Sequence, residues 1–518
     1  MSLLKDKRAL FLPVISGILL ILSFPPFNLY PLAWVSLVPL LHTIEGRETK
    51  KIFNAGLVTG SVYFLGTVYW VFNSMYVYGN IPAVASLFLL VLLCLYLALY
   101  IGVFSVVFNL IYVRVHVPAL VIAPALWVTL EYARTYIITG FPWSLLGYSQ
   151  FSFLPMIQIS DITGVYGISF LVASFNGLIF DLMRQRRTVM SEVSQRKFVM
   201  SGAMALALII IASLIYGMAK LKHNEQANNI TVTVLQGNID QDKKWDRKHQ
   251  REVIDTYKDL TLAAASEQPD LVVWPESALP FIFGYDNDLT NEVIDLQKQI
   301  NAHMLIGSVL LKGSEKGKSL LSNSVIMLSP GTDAIEVYDK IHLVPFGEYV
   351  PLGNLFPFIK KLVVAIGDFV HGKDVTVMNT PFAKIGNLIC YEIAFPGLVR
   401  KFIDKGANLI VTVTNDAWFG RTSAPYQHFS MAVFRAIENR VPVARSANTG
   451  ISGFIDSRGR IIQKSDIFVK ASLTNKISVG NEKSFYAGHG DVFAYACLII
   501  TLIMLLAGIF RKLGKSPK

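Results

Sequence analysis

The chain has 518 residues, of which 53% are hydrophobic and only 16% are charged, and its formal net charge is +11. An ordinary soluble protein carries about 25% charged residues, so this composition excludes a disordered chain, a small disulfide scaffold and a plain cytosolic enzyme. Three cysteines are too few for a disulfide framework or a structural zinc cluster.

Long apolar windows dominate the first 220 residues. About 20 helical residues cross the hydrocarbon core of a bilayer, and most of these windows approach or exceed that length. We predict seven spans before residue 221 and an eighth near the C terminus, at Ala9–Phe24, Leu29–Ile44, Ile52–Tyr76, Pro82–Tyr112, Pro118–Tyr132, Thr163–Met183, Met200–Lys220 and Val492–Ile509. The first window contains no small-residue cleavage site, which predicts a signal anchor.

The basic residues predict the orientation of these spans. Lys and Arg are concentrated before span one, after span eight and in the connections that follow spans two, four and six. The short connections 25–28 and 77–81 contain neither residue. By the positive-inside rule both termini are cytoplasmic and the segment between spans seven and eight lies outside. The same asymmetry accounts for the net charge, so we predict no nucleic-acid partner.

The segment from Lys222 to Gly488 alternates short β-branched runs with amphipathic stretches. We predict strands at Ile230–Leu235, Leu271–Trp274, His303–Leu311, Ser324–Leu328, Ala334–Tyr338, Ile385–Ile389 and Leu409–Thr414, and helices at Arg247–Ala265, Glu292–Ala302 and Phe395–Lys405. Such alternation indicates parallel crossovers and an α/β sandwich outside the membrane. The predicted domains are a seven-span bundle (1–221), this α/β domain (222–488), and an eighth helix with a basic tail (489–518).

Three chemically capable residues follow separate predicted strands of the α/β domain. Cys390 ends one strand and precedes a helix, Glu276 follows the strand LVVW, and Lys340 follows IEVYD. Active sites of α/β domains form where strands end at their carboxyl edge, so we expect these three side chains to meet. A carboxylate there can take a thiol proton, and an ammonium can neutralise a tetrahedral intermediate. Cys94 and Cys497 lie in membrane windows and are predicted to be apolar fillers.

Motifs around these three residues resemble those of a known superfamily. The stretches WPES at 274–277, K-x-HLVPFGEYVP at 340–351 and CYE at 390–392 are similar to the nitrilase superfamily of carbon–nitrogen hydrolases. The membrane part contains GFPW at 140–143 and GVYG at 164–167. Taken together, the chain resembles the apolipoprotein N-acyltransferases, a family of polytopic membrane proteins that carry an extracytoplasmic αββα nitrilase-like domain.

The resemblance implies a reaction and a role for each residue. Glu276 is the general base and Cys390 the nucleophile, which takes an acyl chain from a phospholipid as a thioester. Lys340 and the Tyr391 amide hold the oxyanion. Supporting residues are Glu348, Tyr391 and Glu392, and Trp245 lies at the substrate entrance. The aromatic residues Trp418 and Phe419 are interpreted as interfacial anchors or a lipid gate, with core packing as the alternative. The acyl group then passes to the N-terminal α-amine of a diacylated apolipoprotein, in a ping-pong sequence without cofactor or metal.

The resemblance also implies a place in the cell. The expected location is the bacterial inner membrane, with the catalytic domain periplasmic, both termini cytoplasmic, and the protein acting as a monomer in the lipid bilayer. Two other hypotheses stay open on the sequence. The domain could use water as acceptor, as a membrane-tethered amidase, or the chain could be a transporter or receptor with a degenerate outer domain. The complete Glu–Lys–Cys set argues against the transporter or receptor.

Overall fold

The computed structural model describes residues 7–187, 193–222, 228–315, 318–349 and 369–513. Some terminal basic residues used for the predicted orientation, Lys5, Lys515 and Lys518, lie outside this part of the chain, as do Val350 and Pro351 of the motif that begins at Lys340. The chain forms two compact units. The first comprises Met1–Tyr69, Leu87–His223 and His489–Lys518, and the second comprises Trp70–Ser86 and Asn224–Gly488.

The division into units differs from the predicted domains at one place. The predicted boundaries at 221/222 and 488/489 stay predictions, but Trp70–Ser86, expected inside the membrane bundle, groups with the second unit. Helices before residue 223 are α1 (Lys7–Ser23), α2 (Val38–Ile44), α3 (Thr49–Val68), α4 (Trp70–Asn73), α5 (Ala83–Val115), α6 (Ala119–Tyr136), α7 (Leu154–Ile157), α8 (Ser160–Thr163), α9 (Val165–Arg187) and α10 (Val193–Lys222).

Four helices of the described chain are long and apolar enough to cross a membrane: Ala83–Val115, Val165–Arg184, Arg196–Lys222 and Val492–Arg511. A fifth candidate is the pair Thr49–Val68 and Trp70–Tyr78, which is bent by 52°. The predicted count of eight is therefore not confirmed. The window Leu29–Ile44 divides into a 3-10 turn (Tyr30–Trp34) and α2, each with a proline in its first turn. A proline there fits a helix start but cannot continue a preceding helix.

Close packing of the first unit depends on small residues. A Cβ built on Gly60 of α3 would lie 2.7 Å from Ala98 Cα of α5, and one on Gly56 would lie 2.5 Å from the Ile101 carbonyl oxygen. Small residues allow helix backbones to approach each other, which is the usual way for apolar helices to associate when water does not drive their packing.

Within the described residues, the second unit contains two six-stranded sheets. Their strands are β1 (Asn228–Gln236), β2 (Leu271–Trp274), β3 (His303–Glu315), β4 (Lys318–Leu328), β5 (Ile335–Asp339), β6 (Val377–Asn379), β7 (Lys384–Ile389), β8 (Leu409–Thr414), β9 (Val443–Ala447), β10 (Gly453–Ile455), β11 (Ile461–Lys464) and β12 (Ala471–Val479). One sheet has the order β12-β1-β2-β3-β4-β5, and the other β11-β10-β9-β8-β7-β6. Parallel pairs at β1-β2-β3 and β7-β8-β9 form the centres.

Helices cover the outer faces of the two sheets. They are α11 (Gln250–Ala265), α12 (Asn287–Ile300), α13 (Pro396–Asp404) and α14 (Ala424–Asn439); α15 (Phe485–His489) and α16 (Val492–Leu513) follow. Val253 and Tyr257 of α11 and Val293 of α12 share a buried core with Trp274 and Met304 of the first sheet. Strands β1 and β2 contact β9, and β4 contacts β7, so the sheets pack face to face. The result is the predicted α/β sandwich.

Prediction of elements was better before residue 415 than after it. Strands β2 and β8 have the predicted bounds, whereas β6 and β9 to β12 were not predicted. Strand β9 has the sequence VARSA and is buried along its whole length, Arg445 included. A buried polar residue removes the apolar run by which such a strand is recognised in a sequence.

Candidate active site

The structure brings Glu276, Lys340 and Cys390 together. Glu276 follows β2 after one proline, Lys340 follows β5 directly, and Cys390 follows β7 directly. All three residues are buried, with exposed fractions of 6%, 1% and 7%. Lys340 Nζ lies 3.4 Å from Glu276 Oε1. The charges of Glu276 and Lys340 both affect the pKa of the Cys390 thiol. The three strand ends therefore meet at one place, as the sequence predicted.

The Glu276 carboxylate is held from several sides. Its Oε1 accepts hydrogen bonds from Asn323 Nδ2 at 2.7 Å and from Lys340 Nζ at 3.4 Å. Its Oε2 accepts one from the backbone N–H of Asn415 at 2.8 Å. An ionised carboxylate has about four lone-pair sites, so these bonds orient the group and leave capacity for one more proton donor. A group oriented in this way suits a general base.

Lys340 is a buried lysine between two carboxylates. Its Nζ donates to Glu348 Oε1 at 2.9 Å, while Asn323 Nδ2 and the Val344 amide also donate to the Glu348 carboxylate. Burial favours the neutral amine, but the nearby charges of Glu348 and Glu276 outweigh it and hold the pKa of Lys340 above its usual range. A buried ammonium with this anchoring can stabilise a negative oxygen without reorienting during the reaction.

Cys390 has the backbone of a nucleophile on a tight strand-to-helix turn. Its φ is +53°, in the left-handed region, and a 3-10 turn (Cys390–Ala394) begins at the same residue. Non-glycine residues in this region cost free energy and concentrate at functional sites. Burial and the charge of Glu276 raise the pKa of the thiol above its usual range, although Lys340 opposes them. The resting side chain is therefore a thiol, which needs a base before it can attack.

A buried cluster supports the carbonyl of Cys390. His428 Nε2 lies 3.1 Å from that oxygen, and His428 Nδ1 lies 2.9 Å from an Arg445 guanidinium nitrogen. A carbonyl oxygen can only accept, so the ring proton is assigned to Nε2, facing Cys390. Nδ1 then accepts from Arg445, and the Asp416 Oδ1 atom lies 3.1 Å from the same nitrogen. Burial and the charge of Arg445 lower the pKa of His428, which keeps the ring neutral. Arg445 also donates to Asp416 Oδ2 at 2.9 Å.

The predicted supporting residues occupy different places. Glu348 contacts Lys340, as described above. Glu392 is fully buried and accepts hydrogen bonds from the amides of Ile341, His342 and Ile389 and from the Tyr338 hydroxyl, at 2.7–3.0 Å. It thus ties the segment after Lys340 to the strand before Cys390. Burial raises the pKa of Glu392 to about 7, against the effect of these hydrogen bonds. The Tyr391 ring packs edge-on against Phe395 at 5.0 Å.

The three predicted gate residues lie on two loops of the second unit. The Trp418 carbonyl accepts a hydrogen bond from Ser74 Oγ at 2.8 Å, and its ring lies 5.8 Å from that of Tyr78. The Phe419 ring lies 4.7 Å from that of Trp70. Both partners come from Trp70–Ser86, which explains why this segment groups with the second unit. Trp245 is half-buried on the loop between β1 and α11.

Three residues that bind Glu276 were not assigned roles from the sequence: Asn323, Asn415 and Lys244. Asn323 lies in the middle of β4, in a run whose neighbours are buried. Asn323 is flanked by Ser322 and Ser324, so the sequence shows no apolar run at this point that would mark the amide as buried. Asn415 and Lys244 give no signal either, since each lies in a polar loop.

A buried glutamate, lysine and cysteine at the strand ends of a two-sheet sandwich define a thiol-dependent catalytic domain of the carbon–nitrogen hydrolase class. The family model Carbon-nitrogen hydrolase matches residues 231–482. The family model Apolipoprotein N-acyltransferase N-terminal domain matches residues 16–178. Both matches agree with the resemblance found in the sequence motifs.

Curated relatives match over nearly the whole chain. An apolipoprotein N-acyltransferase of Geobacter metallireducens is 42% identical over 98% of this chain and 96% of its own length. Those of Chlorobaculum tepidum and Haemophilus influenzae are 30% and 32% identical, over 98% and 97% of this chain and 97% and 95% of their own lengths. The chain belongs to the apolipoprotein N-acyltransferase family, within the nitrilase superfamily.

Proposed function

We propose that this protein transfers a fatty acyl chain from a phospholipid, through a thioester on Cys390, to the N-terminal α-amine of a diacylated apolipoprotein. The observation that carries the proposal is the buried Lys340–Glu276 pair beside the Cys390 thiol. Full-length membership of a family whose curated members are named apolipoprotein N-acyltransferases supports the substrates and does not favour the amidase alternative.

In the first half-reaction the Cys390 sulfur attacks the carbonyl carbon of a phospholipid ester. Glu276 removes the thiol proton, which the raised pKa of Cys390 makes necessary. The negative oxygen that forms lies against the Lys340 ammonium and the Tyr391 amide. The carbon–oxygen ester bond then breaks, Glu276 returns the proton to the departing glycerol oxygen, and a lysophospholipid leaves. Cys390 keeps the acyl chain as a thioester.

In the second half-reaction the α-amine of the acceptor attacks the thioester carbonyl carbon. Glu276 takes a proton from the amine, and the same oxyanion groups stabilise the intermediate. The carbon–sulfur bond breaks, the sulfur regains a proton, and an amide is released. A thioester keeps much of the reactivity of the original ester, so the exchange needs no nucleotide and no cofactor.

The supporting residues have separate tasks in this scheme. Glu348 anchors the Lys340 ammonium at 2.9 Å. Glu392 accepts hydrogen bonds from the backbone N–H groups directly after Lys340 and directly before Cys390. Trp245, Trp418 and Phe419 lie on loops, where aromatic side chains can contact acyl chains or the interface of a bilayer.

We further propose that the protein lies in the bacterial inner membrane with about eight spans, as a monomer. The charge asymmetry of the connections supports cytoplasmic termini and a periplasmic domain at 222–488. Spans one, two and five have the least support. The helices Leu10–Ser23 and Tyr30–Ile44 are shorter than a usual span, and α6, which corresponds to span five, is not among the helices of the described chain that are long and apolar enough to cross a membrane.

The test uses the purified full-length protein in lipid nanodiscs that contain a phospholipid with an isotope-labelled acyl chain. A synthetic diacylated lipopeptide is added, and mass spectrometry follows the label. We expect the label on Cys390 before the lipopeptide is added and on the peptide amine afterwards. Free labelled fatty acid as the main product, unaffected by the lipopeptide, would instead establish hydrolysis and overturn the transferase proposal.

A further inference from the structure

A second buried lysine lies next to Glu276. Lys244 belongs to the loop between β1 and α11 and has an exposed fraction of 0%, whereas its neighbours Lys243 and Asp246 are exposed. Its Nζ donates a hydrogen bond to the backbone carbonyl oxygen of Glu276 at 2.8 Å. Lysine is almost never fully buried unless it is paired, so the inward position of this one residue needs an explanation.

The loop that carries Lys244 is fastened to the same framework as Glu276. Asn448 Nδ2 donates to the Ile239 carbonyl at 2.7 Å, and Asn415 Nδ2 donates to Gln241 Oε1 at 2.6 Å. The backbone N–H of Asn415 in turn donates to the Glu276 carboxylate. Glu276 is therefore held at its side chain by Asn415 and at its main chain by Lys244. The position of Lys244 is built into the site.

Lys244 also changes the charge balance around Cys390. Glu276, Glu348 and Lys340 are two carboxylates and one ammonium in direct contact, and with both carboxylates ionised they oppose a new negative charge. A charged Lys244 makes the group neutral. The Asp416 carboxylate also acts against a negative charge on Cys390, but it is paired with Arg445 at 2.9 Å. In a buried site such charges act far more strongly than in water. A neutral group permits the thiolate and the later oxyanion, whereas a negative one disfavours both.

The charges that face Lys244 come from two other elements. Burial lowers the pKa of Lys244 to about 8, while Glu276 after β2 and Cys390 after β7 act in the opposite direction. Two acidic residues of its own loop, Asp240 and Asp242, exert their charge on the Tyr78 hydroxyl instead. Lys244 is therefore charged at neutral pH and loses its proton as the pH rises through about 8.

We propose that Lys244 is a positioning residue for acylation: it holds the main chain of Glu276 and supplies the second positive charge that lets Cys390 ionise beside two carboxylates. The inference rests on the proposed roles of Cys390 and Glu276. It also assigns the loop of Trp245 a chemical task in addition to substrate entry.

The test measures how fast iodoacetamide alkylates Cys390 between pH 6 and 10 in the full-length protein in detergent. Peptide mass mapping separates Cys390 from Cys94 and Cys497. Only the thiolate reacts, so the rate reports its population. We expect Lys244→Met to lower the rate at pH 7 about tenfold, equivalent to a thiol pKa higher by about one. Lys243→Met, which changes an exposed neighbour, is the matched control and should follow the wild type.

The slope above pH 8 gives a second readout. As Lys244 loses its proton, it no longer stabilises the thiolate. The wild-type alkylation rate should therefore increase less steeply with pH than the rate of a protein in which only the thiol titrates. Lys244→Arg keeps its charge at these pH values and should restore the single-group slope. If Lys244→Met does not fold, the test rests on Lys244→Arg. A Lys244→Arg variant whose alkylation rate increases with pH as shallowly as that of the wild type overturns the proposal.

The remaining outcomes separate this proposal from the proposed function. A Lys244→Met profile that coincides with the wild type overturns the role of Lys244. Alkylation needs neither phospholipid nor lipopeptide, so the expected shift in a protein that transfers no acyl chain would support Lys244 while counting against the transferase. A wild-type Cys390 that is alkylated at no pH, but takes up labelled acyl chain from phospholipid, would overturn the role of Lys244 in forming the thiolate and leave the transferase standing.

Discussion

Buried charged side chains occur in both units, but they bind different partners. In the helical unit, Asp181 of α9 accepts hydrogen bonds from the Ala119 and Leu120 amides at 3.1 and 3.0 Å, at the start of α6. Glu131 accepts from the Leu146 amide at 2.6 Å, and Arg134 donates to the Trp143 carbonyl at 2.8 Å. In the sandwich unit, Lys340 binds the carboxylates of Glu276 and Glu348.

For these residues the difference separates charge that is buried to satisfy the backbone from charge that is buried at the candidate active site. Glu392 of the sandwich unit, which binds the amides of Ile341, His342 and Ile389, belongs with the first group. The first amides of a helix have no partner within the helix, so Asp181 supplies one from a neighbouring helix. The hydrogen bonds of such a side chain go to backbone groups, whose charge and position stay the same during a reaction. In the sandwich, charged groups face one another around a thiol, and a change of charge on one alters the others. The partners of a buried charge, more than its burial, indicate chemistry.

The largest effect is expected for Cys390→Ser. Serine keeps the size of the side chain, but its hydroxyl is a much weaker nucleophile than a thiolate, so no stable acyl-enzyme should form. Intact-mass spectrometry after incubation with labelled phospholipid should find no label on the variant. Acyl-enzyme at the wild-type level would remove Cys390 from the mechanism. Unchanged thermal unfolding is the control for correct folding.

The next largest effect is expected for Glu276→Gln. The amide keeps the shape of the carboxylate but cannot take a proton, and loss of a general base slows reactions by about 10²–10⁴-fold. Single-turnover acylation of Cys390 should therefore slow by that factor. A variant within twofold of the wild type would show that another group removes the thiol proton. This residue represents the catalytic side of the comparison between the two units.

The smallest effect on catalysis, and a clear effect on stability, is expected for Asp181→Asn. Asn replaces one of the two accepting oxygens by an NH2 group, which cannot accept from the backbone N–H that it faces. An unsatisfied buried donor costs about 1–3 kcal/mol. The melting temperature in detergent should fall, while the acylation rate of the folded protein stays within about twofold. A large loss of acylation rate at unchanged melting temperature would refute the distinction drawn between the two units.

Most of the site was predictable, because its chemical groups follow strands that are visible in the sequence. Strand LVVW is a short buried run ahead of Glu276, and NLI precedes Cys390 and a proline-started helix. Local patterns of this kind place residues at strand ends without knowledge of the fold. The residues that orient Glu276 were not predictable in this way, since Asn415 lies 139 positions away and Asn323 lies 47.

The sequence by itself determined which groups form the candidate site, which elements carry them and that much of the chain is apolar enough for a membrane. These properties follow from local periodicity, composition and the spacing of motifs. Only the tertiary structure decided that Lys244 faces inward while Lys243 does not, and that Trp70–Ser86 packs on the loop of Trp418. Both depend on contacts between distant segments, and such contacts leave no period in the sequence.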